Sequence, residues 1–164
     1  MSRMVYPTKS VFIPVADFGG VNGTTWQPRN GTEAIRVLYY DPMICAGQAI
    51  NVRCLWSTSD TTTTNSATWK AVYKAVTIDS TDTLAAPSTA LDTAIVADTV
   101  IGTANALQMT AAGVINADNL TDGDALLLEI SCSATTGLTL NPAASGNSRV
   151  TLMGVVLEYV VTNL

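Results

Sequence analysis

Ile50-Asn51-Val52-Arg53-Cys54-Leu55-Trp56 is the stretch on which the fold turns. Its even positions are apolar and its odd positions largely polar, the period-two signature of a strand with one buried face. The same period returns downstream. Over residues 68–78, Trp69, Ala71, Tyr73 and Ala75 share one face and Lys70, Val72, Lys74 and Val76 the other; the aromatic face is the expected core face. Leu126, Leu128, Ile130 and Cys132 form a further inward row, with Glu129 and Ser131 outside. Residues 149–160 are apolar on both sides, Val150, Leu152 and Val156 against Met153, Val155, Leu157 and Tyr159, which predicts a long central strand.

Shorter strand candidates span 9–15, 34–40, 98–102 and 106–111, separated by turn signals such as Gly19-Gly20, Asn30-Gly31, Asp41-Pro42, Asp122-Gly123 and Asn141-Pro142. Seven or eight strands punctuated in this way predict an all-β antiparallel sandwich of jelly-roll type with long ordered loops. The 24 threonines favour extended structure, because a branched Cβ disfavours helix and packs well on a pleated surface. Residues 84–97 are interrupted by Pro87, and 103–117 lack three-four spacing, so both read as loop or strand. Residues 17–32, which include Trp26, read as an ordered excursion, and 57–67 as a polar loop tip. The 164 residues suit one domain, 1–164, preceded by a short N-terminal arm of about residues 1–8.

Composition narrows the chemistry. There are 8 Lys and Arg against 13 Asp and Glu, a net charge of −5, and no histidine. Without histidine there is no His general base, no Ser-His or Cys-His pair and no His metal ligand. At 48% hydrophobic and 13% charged residues the chain is more apolar than an ordinary soluble monomer, in which about 25% is charged. Part of the surface is therefore expected to be covered by partners. No apolar run approaches the ~20 residues of a membrane span, and Met1-Ser2-Arg3-Met4 leads into no apolar leader core, so cytosolic synthesis and assembly are expected. Cys45, Cys54 and Cys132 lack metal spacing and read as thiols, Cys54 and Cys132 as buried ones. Charge is unevenly spread: between residues 75 and 148 there is no Lys or Arg, and that segment carries −8 against +3 for the remainder. With no cationic stripe, direct nucleic-acid binding is not expected.

Candidate chemistry is sparse. Asp118-Asn119-Leu120-Thr121-Asp122-Gly123-Asp124 places oxygens at alternating positions, but lacks the order and closing Glu of a calcium loop and reads as a capped turn. Glu33, Glu129 and Glu158 are the carboxylates that a glycosidase pair would draw on, each beside a strand where a surface role is the simpler reading. No phosphate-cradling loop is present. Trp56 and Trp69 have inward parity, whereas Trp26, in its loop, is equally suited to local packing and to a partner. Three Asn-x-Thr sequons, at Asn22, Asn30 and Asn119, read as turn chemistry. No catalytic residue, cofactor or metal is expected.

The order Lys9-Ser10-Val11-Phe12-Ile13-Pro14, Val52-Arg53-Cys54-Leu55-Trp56-Ser57, a Thr-rich tip, Ala67-Thr68-Trp69-Lys70-Ala71-Val72, Asp122-Gly123-Asp124-Ala125-Leu126-Leu127-Leu128-Glu129-Ile130 and a closing Val150-Thr151-Leu152-Met153-Gly154-Val155-Val156-Leu157-Glu158-Tyr159 resembles the small β-sandwich structural proteins of tailed bacteriophages, especially capsid-decorating or cement proteins. Where such proteins often carry an Arg after the Gly-Asp strand, Ser131-Cys132-Ser133 stands here. The resemblance implies a virion protein, a homotrimer on the outer surface of the capsid that bridges subunits of the major capsid protein, with no nucleic-acid or membrane partner. Tyr6 and Pro7 in the arm, with Trp26 and Arg29 in the loop, are the expected shell contacts. The alternative is a receptor- or carbohydrate-binding module of a tail fibre or tailspike; a hydrolase domain is the third reading.

Overall fold

The computed structural model describes residues 7–19, 21, 23–140 and 148–161. Ten strands lie among them: β1 (Thr8–Pro14), β2 (Ala34–Tyr39), β3 (Ile50–Ser57), β4 (Ser66–Val76), β5 (Thr89–Ala90), β6 (Asp98–Thr99), β7 (Gln108–Met109), β8 (Gly113–Ile115), β9 (Ala125–Thr136) and β10 (Thr151–Val160). The helical content among the described residues is two single-turn 3₁₀ segments, Val15–Asp17 and Ala117–Asn119. The count exceeds the expected seven or eight because 84–97 and 103–117 contribute two further strands, β5 and β8, of two and three residues, too short to show a period; β7 falls within the expected 106–111.

Both sheets are antiparallel and follow one plan. In the first, β1, β10 and β3 lie side by side, with β7 and β8 completing the far edge of β3. In the second, β2, β9 and β4 lie side by side, with β5 and β6 on the far edge of β4. The central position expected for the C-terminal strand is the one β10 takes.

The inner faces meet in one core. Ile50, Val52, Cys54 and Trp56 of β3 are buried, as their alternation requires, and face Trp69, Ala71 and Tyr73 of β4 and Leu126, Leu128, Ile130 and Cys132 of β9. Burying side chains of this size contributes about 1.5–3 kcal/mol each for the larger aliphatics. A second, small cluster, Val76, Ala125 and Leu127, lies on the opposite face of the second sheet. There the turn after β4 is tied down by Lys74 Nζ donating to the Thr83 carbonyl (2.8 Å).

One inward row departs from strict alternation. Strict period two groups Val156 with Val150 and Leu152, yet Val155, Leu157 and Tyr159 are the residues that follow Leu152 into the core. A β-bulge is the reason: Leu152 stands opposite Trp56 and Gly154 opposite Leu55, so Met153 is an extra residue. Strand β9 carries the same irregularity, with Ser133 extra between Cys132, opposite Trp69, and Ala134, opposite Thr68.

Candidate interaction surface

The outer face of the first sheet is apolar across its width. Pro14, Gly154, Leu55 and Met109 stand in register over β1, β10, β3 and β7, and Phe12, Val156 and Arg53 form the adjoining row. Phe12 is 50% exposed and Met109 51%; Leu107 and Ile101 beside β7 are exposed too. Phe12 lies over Gly154, where an added Cβ would fall 2.4 Å from its ring and 2.5 Å from the Ile13 carbonyl oxygen. Glycine is therefore what lets β1 approach β10 this closely with the Phe12 ring against the strand. Arg53 Nε donates to Glu158 Oε2 (3.1 Å) at the margin. An apolar centre with a charged margin is the anatomy of a protein-binding patch.

The expected contact residues frame this face but do not form one cluster. Pro7 is exposed and its carbonyl accepts from the Val161 N–H (3.0 Å) at one end of β10. Tyr6 lies outside the described residues. Trp26 is at the other end of β10, exchanging two backbone hydrogen bonds with Leu152. Nine positions of β10 separate the two ends, about 27 Å of strand once the bulge is allowed for. The Trp26 side chain is 8% exposed and belongs to the core, so the loop indole fills the sandwich end and is not open to a sugar ring. Arg29 is exposed, and its backbone N–H is held by Glu33 Oε2 (2.6 Å).

A polar cluster ties the Pro7 end together. Asp41, at 7% exposure, receives Lys9 Nζ (2.5 Å) and the Tyr159 hydroxyl (2.6 Å) on Oδ2, and the Met43 N–H (2.9 Å) on Oδ1. Since Tyr159 gives its single hydrogen to Asp41, Tyr39 is the donor in the 2.5 Å contact between the two phenols. Burial alone would raise the Asp41 pKa, but hydrogen bonds from Lys9, Tyr159 and Met43 outweigh it and hold the carboxyl below its usual range. The Tyr159 hydroxyl is pushed up by burial and by its acidic and phenolic neighbours.

The remaining carboxylates are dispersed. Glu129 pairs with Arg36 (2.6 Å) on the outer face of the second sheet, and Glu158 lies on the outer face of the first, so both layers of the sandwich stand between them. Asp124 accepts from the Thr121 N–H and hydroxyl (2.9 Å each), closing the turn that its spacing indicated. Burial opposes ionisation of Asp124, but these bonds and Thr77 keep its carboxyl below the usual range. Among the described residues no group of three or more Cys, Asp or Glu is placed to hold a metal ion. Five acidic residues of the cation-free segment, Asp79, Asp82, Asp92, Asp118 and Asp122, are exposed.

The far edges of β3 and β4 differ in a way the sequence did not signal. On β3 the space between its two short partners is closed by Thr110, whose N–H donates to the Cys54 carbonyl (3.0 Å) and whose Oγ1 accepts the Cys54 N–H (3.1 Å). On β4, β6 pairs with Ser66 and Ala67 and β5 with Val72 and Tyr73. Thr68, Trp69, Lys70 and Ala71 between them have no strand partner on that edge, and a cavity of about 280 Å³ opens there. Its walls include Ala71, Ala90, Leu91, Ala94 and Ile95.

No protein-family model matches the chain, and no curated protein matches it.

Proposed function

We propose that the chain is a capsid-decorating protein of a tailed bacteriophage, a sandwich of jelly-roll type that works as an oligomer by covering surface, not by catalysis. The observation that carries this reading is the apolar outer face of the first sheet, where Phe12 and Met109 are each about half exposed among Leu55, Val156 and Pro14. In this reading that face lies against the major capsid protein, with Pro7 at one end and the loop bearing Arg29 at the other. Binding across neighbouring shell subunits raises the free energy needed to part them and opposes the outward pressure of a packaged genome. The resemblance in strand order and in the Trp-Thr-rich-Trp centre supports the assignment, as does a composition poor in charge, which lowers the desolvation cost of a large interface.

The test is a head-binding assay with purified shells. Wild-type chain should co-sediment in a saturable stoichiometry of hundreds of copies per head, and Phe12→Ser with Met109→Ser should fall at least tenfold in affinity while keeping the wild-type melting profile. A chain found on tails in a few dozen copies, or a double variant that binds undiminished, overturns the reading.

A further inference from the structure

We infer that the outer face of the first sheet takes an uncharged, apolar surface of its protein partner and recognises it without ionic contacts. Three adjoining rows make up the face, and Arg53 and Glu158 are the charged residues in them. The two are spent on each other. Arg53 Nε donates to Glu158 Oε2 (3.1 Å), and a terminal nitrogen of the same guanidinium donates to the Thr110 carbonyl (3.2 Å). The guanidinium is thus shared between a carboxylate and a backbone oxygen of its own chain. Glu158 stands in a row with Ser10, Asn51 and Val114, which carry no charge. Within these rows no charge of either sign is left for a partner to answer.

The chemistry of the other positions decides what fits. Phe12 and Met109, each about half exposed, come from strands at opposite sides of the face, three strand spacings or about 14 Å apart, with partly exposed Leu55 and Val156 between them. A carboxylate or ammonium of a partner set down there loses its water and gains neither a counter-charge nor a hydrogen bond, which opposes binding. An aliphatic or aromatic surface gives up only its contact with water, which favours it. The placement of the acidic residues agrees. Of a chain with net charge −5, the exposed Asp79, Asp82, Asp118 and Asp122 lie in the turns after β4 and before β9, on the second sheet. The complement of this face is therefore an uncharged apolar patch, matched by shape.

The inference rests on the decorating role for who the partner is, and on the face alone for the chemistry of the contact, so the test has two arms. With purified shells, the affinity of the wild-type chain should change less than about twofold between about 50 and about 500 mM sodium chloride, and should rise when sulfate replaces chloride. Arg53→Gln combined with Glu158→Gln should bind within about threefold of wild type, since the pair makes no ionic contact with the partner. Met109→Lys, at a half-exposed position outside the core, should keep the wild-type melting profile and bind at least tenfold more weakly at both salt concentrations. Without shells, the wild-type chain should be retained on phenyl-agarose in ammonium sulfate and Met109→Lys should elute earlier. A tenfold loss of wild-type affinity at the higher salt, an undiminished Met109→Lys, or equal elution of the two chains overturns the inference. A chain that binds no shell while the two elute apart as expected counts against the decorating role alone.

Discussion

The indole rings of Trp56 and Trp69 meet edge to face across the two sheets, their centroids 6.3 Å apart and their planes at 60°. Each lies beside a bulge in a central strand, Met153 in β10 and Ser133 in β9. The pair is alike in packing but not in hydrogen bonding. Trp56 Nε1 donates to Asp98 Oδ2 (2.7 Å), tying the core to β6, whereas Trp69 Nε1 has no acceptor.

That asymmetry makes the two conservative replacements unequal. Trp56→Phe removes part of the packing and also leaves Asp98 without its indole donor, so a loss of about 2–4 kcal/mol is expected. Trp69→Phe removes similar packing but also an unsatisfied buried donor, and should cost about 1–2 kcal/mol less. Urea midpoints of the two variants at neutral pH measure the difference.

Acid should loosen the end of the sandwich where Asp41 gathers Lys9, Tyr159 and Met43. The Asp41 carboxyl is held below its usual value of 3.8 in the folded chain, so folding favours its ionised form. Its contribution is complete above the ordinary carboxylate range and is lost as pH falls from about 5 through the lowered folded value. Lys9 is shifted up from 10.5, chiefly by its hydrogen bond to Asp41, so its share persists until strongly alkaline pH. Asp41→Asn should lower the melting temperature at pH 7 and flatten the acid limb of a melting profile taken from pH 2 to 7. Asp60 and Asp124, also held low by hydrogen bonds from their turns, should leave a residual acid dependence.

Gly154→Ala should destabilise the chain by about 1–3 kcal/mol through overpacking between β1 and β10. Adding Phe12→Ala should restore only part of the loss, because the Ile13 carbonyl oxygen, 2.5 Å from the new Cβ, is backbone and remains in place. Thermal melts of the single and double variants separate the two contributions.

Thiol reagents should find one cysteine. Burial raises the Cys54 pKa far above its usual value and pushes Cys132 up to about 11, while Cys45 is only half-buried. At pH 8 a chromogenic disulfide should titrate one fast thiol per folded chain and three in denaturant. Cys45→Ser should abolish the fast phase.

What the sequence made legible was periodicity. The alternation of residues 50–56 and of Leu126, Leu128, Ile130 and Cys132 carried directly into buried faces, because each row is set by the pleat of its own strand. The placement of Trp26 was not readable, since its burial depends on pairing with Leu152, more than a hundred residues away. Nor was the inward turn of Val155, which depends on a bulge fixed by Gly154 packing against β1. The β4 cleft follows from where two-residue strands happen to stop, and such strands are too short to declare themselves. The apolar outer face was visible only as an excess of hydrophobic composition until register set Pro14, Leu55 and Met109 side by side.

The extra residue in β10 separates counting from chemistry. Losing one residue from the middle of a central strand ordinarily turns everything beyond it inside out. Here the loss of Met153 would leave Leu152, Val155, Leu157 and Tyr159 all pointing inward, since Gly154 would become the single outward residue between Leu152 and Val155. The strand thus carries a spare reading frame: its first half is phased by Trp26 and Trp56, its second by β1 and Asp41, and one methionine takes up the mismatch.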